Sequence, residues 1–161
     1  MNNFQVGQKI IHNREGLSEI KGIKVMSDRE FYVVHVCRGS GETIYVPVLG
    51  AENIVRPILS VEEADNLLRD IKQIAKDFNS NTKQRRDAFK RRLSSGKVED
   101  MAYLYRQSYL YEKYPDGVKL GPTDLEMLNY ASNFILEEMA LTYDVDRANI
   151  KEFLIVRIDN L

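Results

Sequence analysis

The sequence predicts an α+β protein: a small β-barrel over residues 1–57, followed by an all-α helical bundle over residues 58–161. Short β-branched and apolar clusters, broken by turn residues, fill the first third. At Ser60 the apolar period changes from about two to about 3.6, the repeat of an amphipathic helix. The chain has 161 residues, 43% hydrophobic and 29% charged, enough for a packed core and against wholesale disorder.

The strand clusters are Val6, Ile10-Ile11, Ile20 to Ile23, Phe31 to Val36 and Ile44 to Val48. Asn13 to Gly16, Ser27 to Arg29 and Gly39 to Gly41 separate them as turns. Five strands this short are best closed on themselves, because an open sheet of that size leaves exposed edges. An SH3-like or Tudor-like barrel is expected, with Thr43 to Val48 as the edge strand most suited to pairing with a partner.

Ser60 and Glu63 form a capping box, and Ala64, Leu67, Leu68, Ile71, Ile74, Ala75 and Phe78 then mark one helical face. A second helix is expected from Thr82 to Leu93, stopping at Ser94-Ser95-Gly96, and a third from Val98 to Tyr111. Thr123 to Glu126 reads as another capping box, and Asp146 as the cap of a last helix. Pro57 is the joint between the two parts.

Charge is uneven along a chain whose formal net charge is only −1. Residues 83–97 hold seven basic groups against Asp87 alone, while residues 98–161 carry a net −6. Global polyanion binding is excluded, but one basic helix can still grip phosphates locally. Lys83, Arg86 and Lys90 fall on one face of that helix. A solvated helix balanced by the acidic remainder explains the same pattern equally well.

Candidate chemistry is sparse. His35 and Cys37 share a strand face, with His12 the one further histidine, too few for a metal or a nucleophile with its base. Gly39 to Gly41 lacks the context of a phosphate loop. The adjacent carboxylates Glu62-Glu63 and Glu137-Glu138 point to different helix faces. No catalytic residue, metal site or cofactor is expected, and a non-enzymatic protein is the reading. The single Cys rules out an intramolecular disulfide. With no signal peptide and no spanning helix in the sequence, a cytoplasmic location is expected, without membrane or small-molecule partners.

Several short motifs in order resemble the CarD/CdnL family of bacterial transcription regulators. Phe4-x-Val6-Gly7 with Gly16 is similar to the family's opening strand pair, Phe31 to Val34 to its central strand, and Val46-Pro47-Val48 to its VPV strand. Ala51-Glu52-Asn53 and Arg56 follow in order. Asn81, Arg85, Leu93, Ser95 and Gly96 resemble its N-W-x-x-R…L-x-S-G segment. Leu120, Met127-Leu128, Ala131 and Glu138-Met139-Ala140 resemble its long helix.

The resemblance implies a Tudor-like domain that binds the RNA polymerase β subunit, here through Lys24, Thr43, Ile44, Tyr45, Val46 and Pro47. It implies a helical domain touching promoter DNA, here through Thr82, Lys83, Arg85, Arg86 and Lys90, mainly at backbone phosphates. Members modulate the stability of the open complex. Two positions depart from the family: Thr82 stands where it commonly has a minor-groove Trp, and Tyr45 where it often has a basic residue. The expected DNA contact is therefore electrostatic. The alternative is a barrel-plus-bundle adaptor that binds another protein or a structured RNA, with no promoter role.

Overall fold

The computed structural model describes residues 3–161 and divides into two compact units, Met1–Ile58 and Leu59–Leu161. In the first unit, β1 (Lys9–His12), β2 (Gly16–Met26), β3 (Arg29–Val36), β4 (Thr43–Pro47) and β5 (Val55–Pro57) form one antiparallel sheet, with a 3-10 turn at Ala51–Asn53. The strand order is β4-β3-β2-β1-β5. Among the described residues β4 and β5 do not pair, so the expected barrel is an open sheet with two edges. Three-residue β5, absent from the sequence expectation, is too short to close it. Val6 is not in a strand; it precedes β1 and is exposed.

Alternation decides which side chains meet. Ile10, Ile20, Tyr32, Val34, Val46 and Val55 pack on one face with Phe4 and Ala51. Tyr32 closes that core with its hydroxyl, which accepts from the Phe4 N–H at 3.2 Å. The β2–β3 turn places Ser27 and Asp28 both at positive φ, 51° and 62°, the left-handed pair of a two-residue hairpin turn. At the β1–β2 turn, His12 Nδ1 accepts from the N–H groups of Arg14 and Glu15, both at 3.1 Å. Burial holds the His12 imidazole below its usual pKa.

In the second unit, α1 (Val61–Lys72), α2 (Thr82–Ser94), α3 (Val98–Lys113), α4 (Pro122–Thr142) and α5 (Ile150–Asn160) bury Leu68, Ile71, Met101, Leu104, Leu128, Ile135, Met139, Ile150 and Leu154. The Ser60–Glu63 capping box forms in both directions. α1 stops at Lys72, six residues before Phe78, although Ile74, Ala75 and Phe78 keep helical spacing. The buried Gln107 side chain accounts for the difference: it donates to the Ala75 carbonyl at 2.7 Å and accepts from the Asp77 N–H at 2.9 Å. Tertiary hydrogen bonds thus hold a non-helical segment between α1 and α2.

Two helix starts also differ from expectation. α4 begins at Pro122, the favoured first position. Asp124, not Thr123, satisfies its N-terminus by accepting from the Gly121 N–H at 3.1 Å. α5 begins at Ile150, because the Asp146 carbonyl accepts from Asn149 in a preceding turn. Arg157 then ties α5 to α1 through both oxygens of Asp65, at 2.9 and 2.6 Å, and the Tyr143 hydroxyl donates to the same carboxylate.

Candidate functional site

Each unit presents one candidate surface. In the first it is the outer edge of β4, whose sole strand partner among the described residues is β3. The phase of that pairing follows from two end bonds, Val36 N–H to Glu42 O and Val48 N–H to Glu30 O. Antiparallel pairs alternate between bonded and non-bonded. Ile44 and Val46 therefore turn their backbone groups to β3, while Thr43, Tyr45 and Pro47 turn theirs outward. Pro47 has no N–H, so the outward edge offers donors at Thr43 and Tyr45 and ends at Pro47.

The side chains divide the same way. Thr43 and Tyr45 are exposed, and Ile44 and Pro47 are half-buried. Val46 is a correction to the sequence expectation: it is 2% exposed and belongs to the core, so it shapes the strand and cannot touch a partner. Lys24 lies across the sheet, with its ammonium 5.7 Å from the Tyr45 ring centre. This cation–π contact brings Lys24 to the outer face of the edge.

In the second unit the surface is α2. Asn81 caps it by accepting from the Gln84 N–H at 2.9 Å. Thr82 and Lys83 are exposed in its first turn, and Lys90 and Arg91 are exposed further along. None of the three cations forms an ion pair among the described residues. Arg91 lies outside the three- and four-residue spacing of Lys83, Arg86 and Lys90, and its place one residue after Lys90 keeps it beside the same outer face.

Arg85 is a second correction. It is 4% exposed and points inward, where its Nε and Nη2 donate to Asp124 Oδ2 at 3.2 and 2.8 Å. Its Nη1 donates to the Asn79 carbonyl at 2.9 Å. Asp124 itself has no exposed surface. A buried charge survives only when paired in this way. Spacing shows the cause: Arg85 lies four residues before Phe89 and eight before Leu93, on the face that packs inward. Arg86 is intermediate, 38% exposed, with Nε 3.8 Å from Asp124 Oδ1. Arg92 is committed as well, bonded to Asp100 at 2.7 Å and stacked 3.5 Å from the Tyr103 ring centre. Burial, with Asp77 nearby, raises the Tyr103 hydroxyl pKa.

Among the described residues no group of three or more His, Cys, Asp or Glu is arranged to hold a metal. Cys37 lies one residue past β3, exposed, with the Lys9 ammonium 3.8 Å from its sulfur. No helix is long and apolar enough to cross a membrane.

Comparison with known families fits these two surfaces into one frame. Residues 4–59 match the model of the CarD-like/TRCF RID domain, and residues 66–155 match that of the CarD C-terminal domain. The chain belongs to the CarD/CdnL family. No curated protein matches it significantly. CarD-type proteins are transcription regulators, and domains of this family interact with RNA polymerase. In this CarD-family chain the edge strand β4 lies in the first matched domain and the basic helix α2 in the second.

Proposed function

We propose that this chain regulates transcription initiation without catalysis, binding the RNA polymerase β subunit by strand addition to β4 and promoter DNA phosphates through the outer face of α2. The observation that carries this reading is the division of roles along α2. Arg85 and Arg92 are spent on internal carboxylates, whereas Lys83, Lys90 and Arg91 stay exposed and unpaired. Internal pairing fixes the helix, and the free cations then meet phosphates at little cost in ordering.

Such contacts position a protein on DNA without reading bases. Thr82, exposed in the first turn, offers no apolar wedge, which leaves electrostatics as the main DNA term. In the first unit, outward N–H and C=O groups supply main-chain hydrogen bonds, and Tyr45 with Lys24 supplies side-chain selectivity. Two weak contacts on one assembly reinforce each other through effective concentration, so isolated DNA affinity is low while the effect at a promoter is not.

The test is the salt dependence of DNA binding and the lifetime of the open complex, for the full chain and for Lys83→Ala, Lys90→Ala and Arg91→Ala combined. Each lost phosphate contact lowers the slope of log K against log salt by about 0.9, so the triple variant should lose roughly 2–3. It should also shift the open-complex lifetime. An unchanged slope and lifetime, with the fold intact, would leave the adaptor reading in its place.

A further inference from the structure

In the second unit, α3, α4 and α5 enclose a polar cleft of about 250 Å³. Its floor is the buried pair Tyr105 and Leu136. Burial pushes the Tyr105 hydroxyl up to about 12, so the floor carries no charge at neutral pH. Asn129, Ser132 and Asn133 of α4 form one wall, because residues three and four apart share a helix face. Ser132 Oγ donates to the Leu128 carbonyl at 2.8 Å, which leaves its oxygen to accept. Ser108 of α3 adds a second hydroxyl.

Two cations complete the lining, Arg147 from the turn between α4 and α5 and Lys151 from the first turn of α5. The backbone fixes the turn that delivers Arg147. Asp144 takes the left-handed conformation that ends a helix, at φ 54°, and the Val145 N–H donates back to the Ala140 carbonyl at 2.9 Å. Arg147 Nη2 then donates to Asn133 Oδ1 at 2.7 Å, which holds the guanidinium against the α4 wall. Lys151 meets Glu112, the cleft's one carboxylate, at 3.3 Å. The side chains of that pair are 51% and 62% exposed, so the bond is weak and exchanges readily for a stronger anion.

Charge here runs against its surroundings. Residues 98–161 hold six basic and twelve acidic groups, yet two of the six and only one of the twelve line this cleft. An anion is therefore the occupant that the lining favours. A guanidinium fork beside an ammonium suits phosphate. The amides and hydroxyls both donate and accept, which matches ligand hydroxyl groups that do the same. The volume lies just under the roughly 300–1,000 Å³ of pockets for drug-sized ligands, which restricts the occupant to a small molecule. We infer that this cleft binds a small phosphate ester bearing hydroxyl groups, of the size of a sugar phosphate or a nucleoside monophosphate, with its phosphate held by Arg147 and Lys151. The inference uses neither the β4 edge nor the outer face of α2, so it stands apart from the proposed function.

The full chain is titrated by calorimetry with glucose 6-phosphate, AMP, glucose, adenosine and inorganic phosphate. At least one of the two esters should saturate a single site, binding about tenfold or more tightly than inorganic phosphate and than its own unphosphorylated counterpart. Arg147→Gln and Lys151→Gln, both at exposed positions, should each weaken that ester about tenfold. Lys119→Gln removes an exposed cation outside the cleft and should bind as wild type. At a hundredfold excess over its Kd, the ester should raise the thermal midpoint of the second unit by roughly 10–20 °C. Saturation by neither ester below about 1 mM, or inorganic phosphate binding as tightly as both, would overturn the inference. So would a loss in Lys119→Gln equal to that of the cleft variants.

Discussion

Replacing Arg85 with Met, which removes the guanidinium and keeps an unbranched apolar stem, isolates what holds the basic helix in place. In Arg85→Met, Asp124 loses two hydrogen bonds and keeps only the Gly121 N–H at 3.1 Å and Arg86 at 3.8 Å. Breaking a buried ion pair by deleting one partner costs roughly 3–5 kcal/mol. Arg86 can close its gap to Oδ1 and recover part of that, while the Asn79 carbonyl loses a donor. The balance is about 3 kcal/mol, near the lower limit of the range. For a unit of this size that lowers Tm by roughly 12–24 °C. Near-UV circular dichroism follows the second unit selectively, because seven of the nine tyrosines lie in residues 59–161. The double variant Arg85→Met with Asp124→Leu removes both charges and should regain most of the loss. A single-variant loss below about 1 kcal/mol, or a double variant no more stable than the single, would contradict the assignment of this pair as the anchor of α2.

Three further outcomes follow from the same contacts. Below the ordinary histidine value of 6.5, the unfolded chain takes up a proton that half-buried His12 resists. First-unit stability should therefore be full above that value and be lost as pH falls through the lower folded pKa. His12→Asn, which keeps an acceptor for Arg14 and Glu15, should flatten stability measured between about pH 7 and 5; a slope identical to wild type would rule out His12 as its source. Val46→Glu should lose polymerase binding through unfolding of the first unit, seen as a collapsed thermal transition, since it places a carboxylate in the core. A folded Val46→Glu chain would contradict the core assignment. Tyr143→Phe removes the hydroxyl that bonds Asp65 at 2.6 Å and should cost about 1–2 kcal/mol in urea unfolding, with no change in DNA binding.

Much of the fold was legible because its signals are local. Alternation marked the interior of β3 and β4, and the Ser60–Glu63 pair marked the start of α1 to the residue. What escaped depends on contacts distant in sequence. Nothing near Ile74 or Phe78 announces that Gln107, some thirty residues later, holds their backbone out of the helix. Sheet closure was overestimated because a strand of three residues, Val55–Pro57, cannot bridge the edges. At the candidate site, charge obscured geometry. Arg85 enters the expected DNA contact only through the family resemblance, although its spacing to Phe89 and Leu93 places it on the inner face. Its partner Asp124 is 39 positions away, so the pair has no local signature.

Binding of the full chain to the isolated RNA polymerase β subunit tests the central claim most directly, with Tyr45→Pro and Tyr45→Ala as the paired variants. Position 45 turns its N–H outward, so proline there removes an edge donor without taking a bond from β3. Saturable binding should fall about fivefold to tenfold more for the proline variant than for the alanine variant, the value of one hydrogen bond beyond the side chain. Equal affinities for the two variants would contradict strand addition at β4, and a folded chain with no affinity for the β subunit would contradict the proposed function itself.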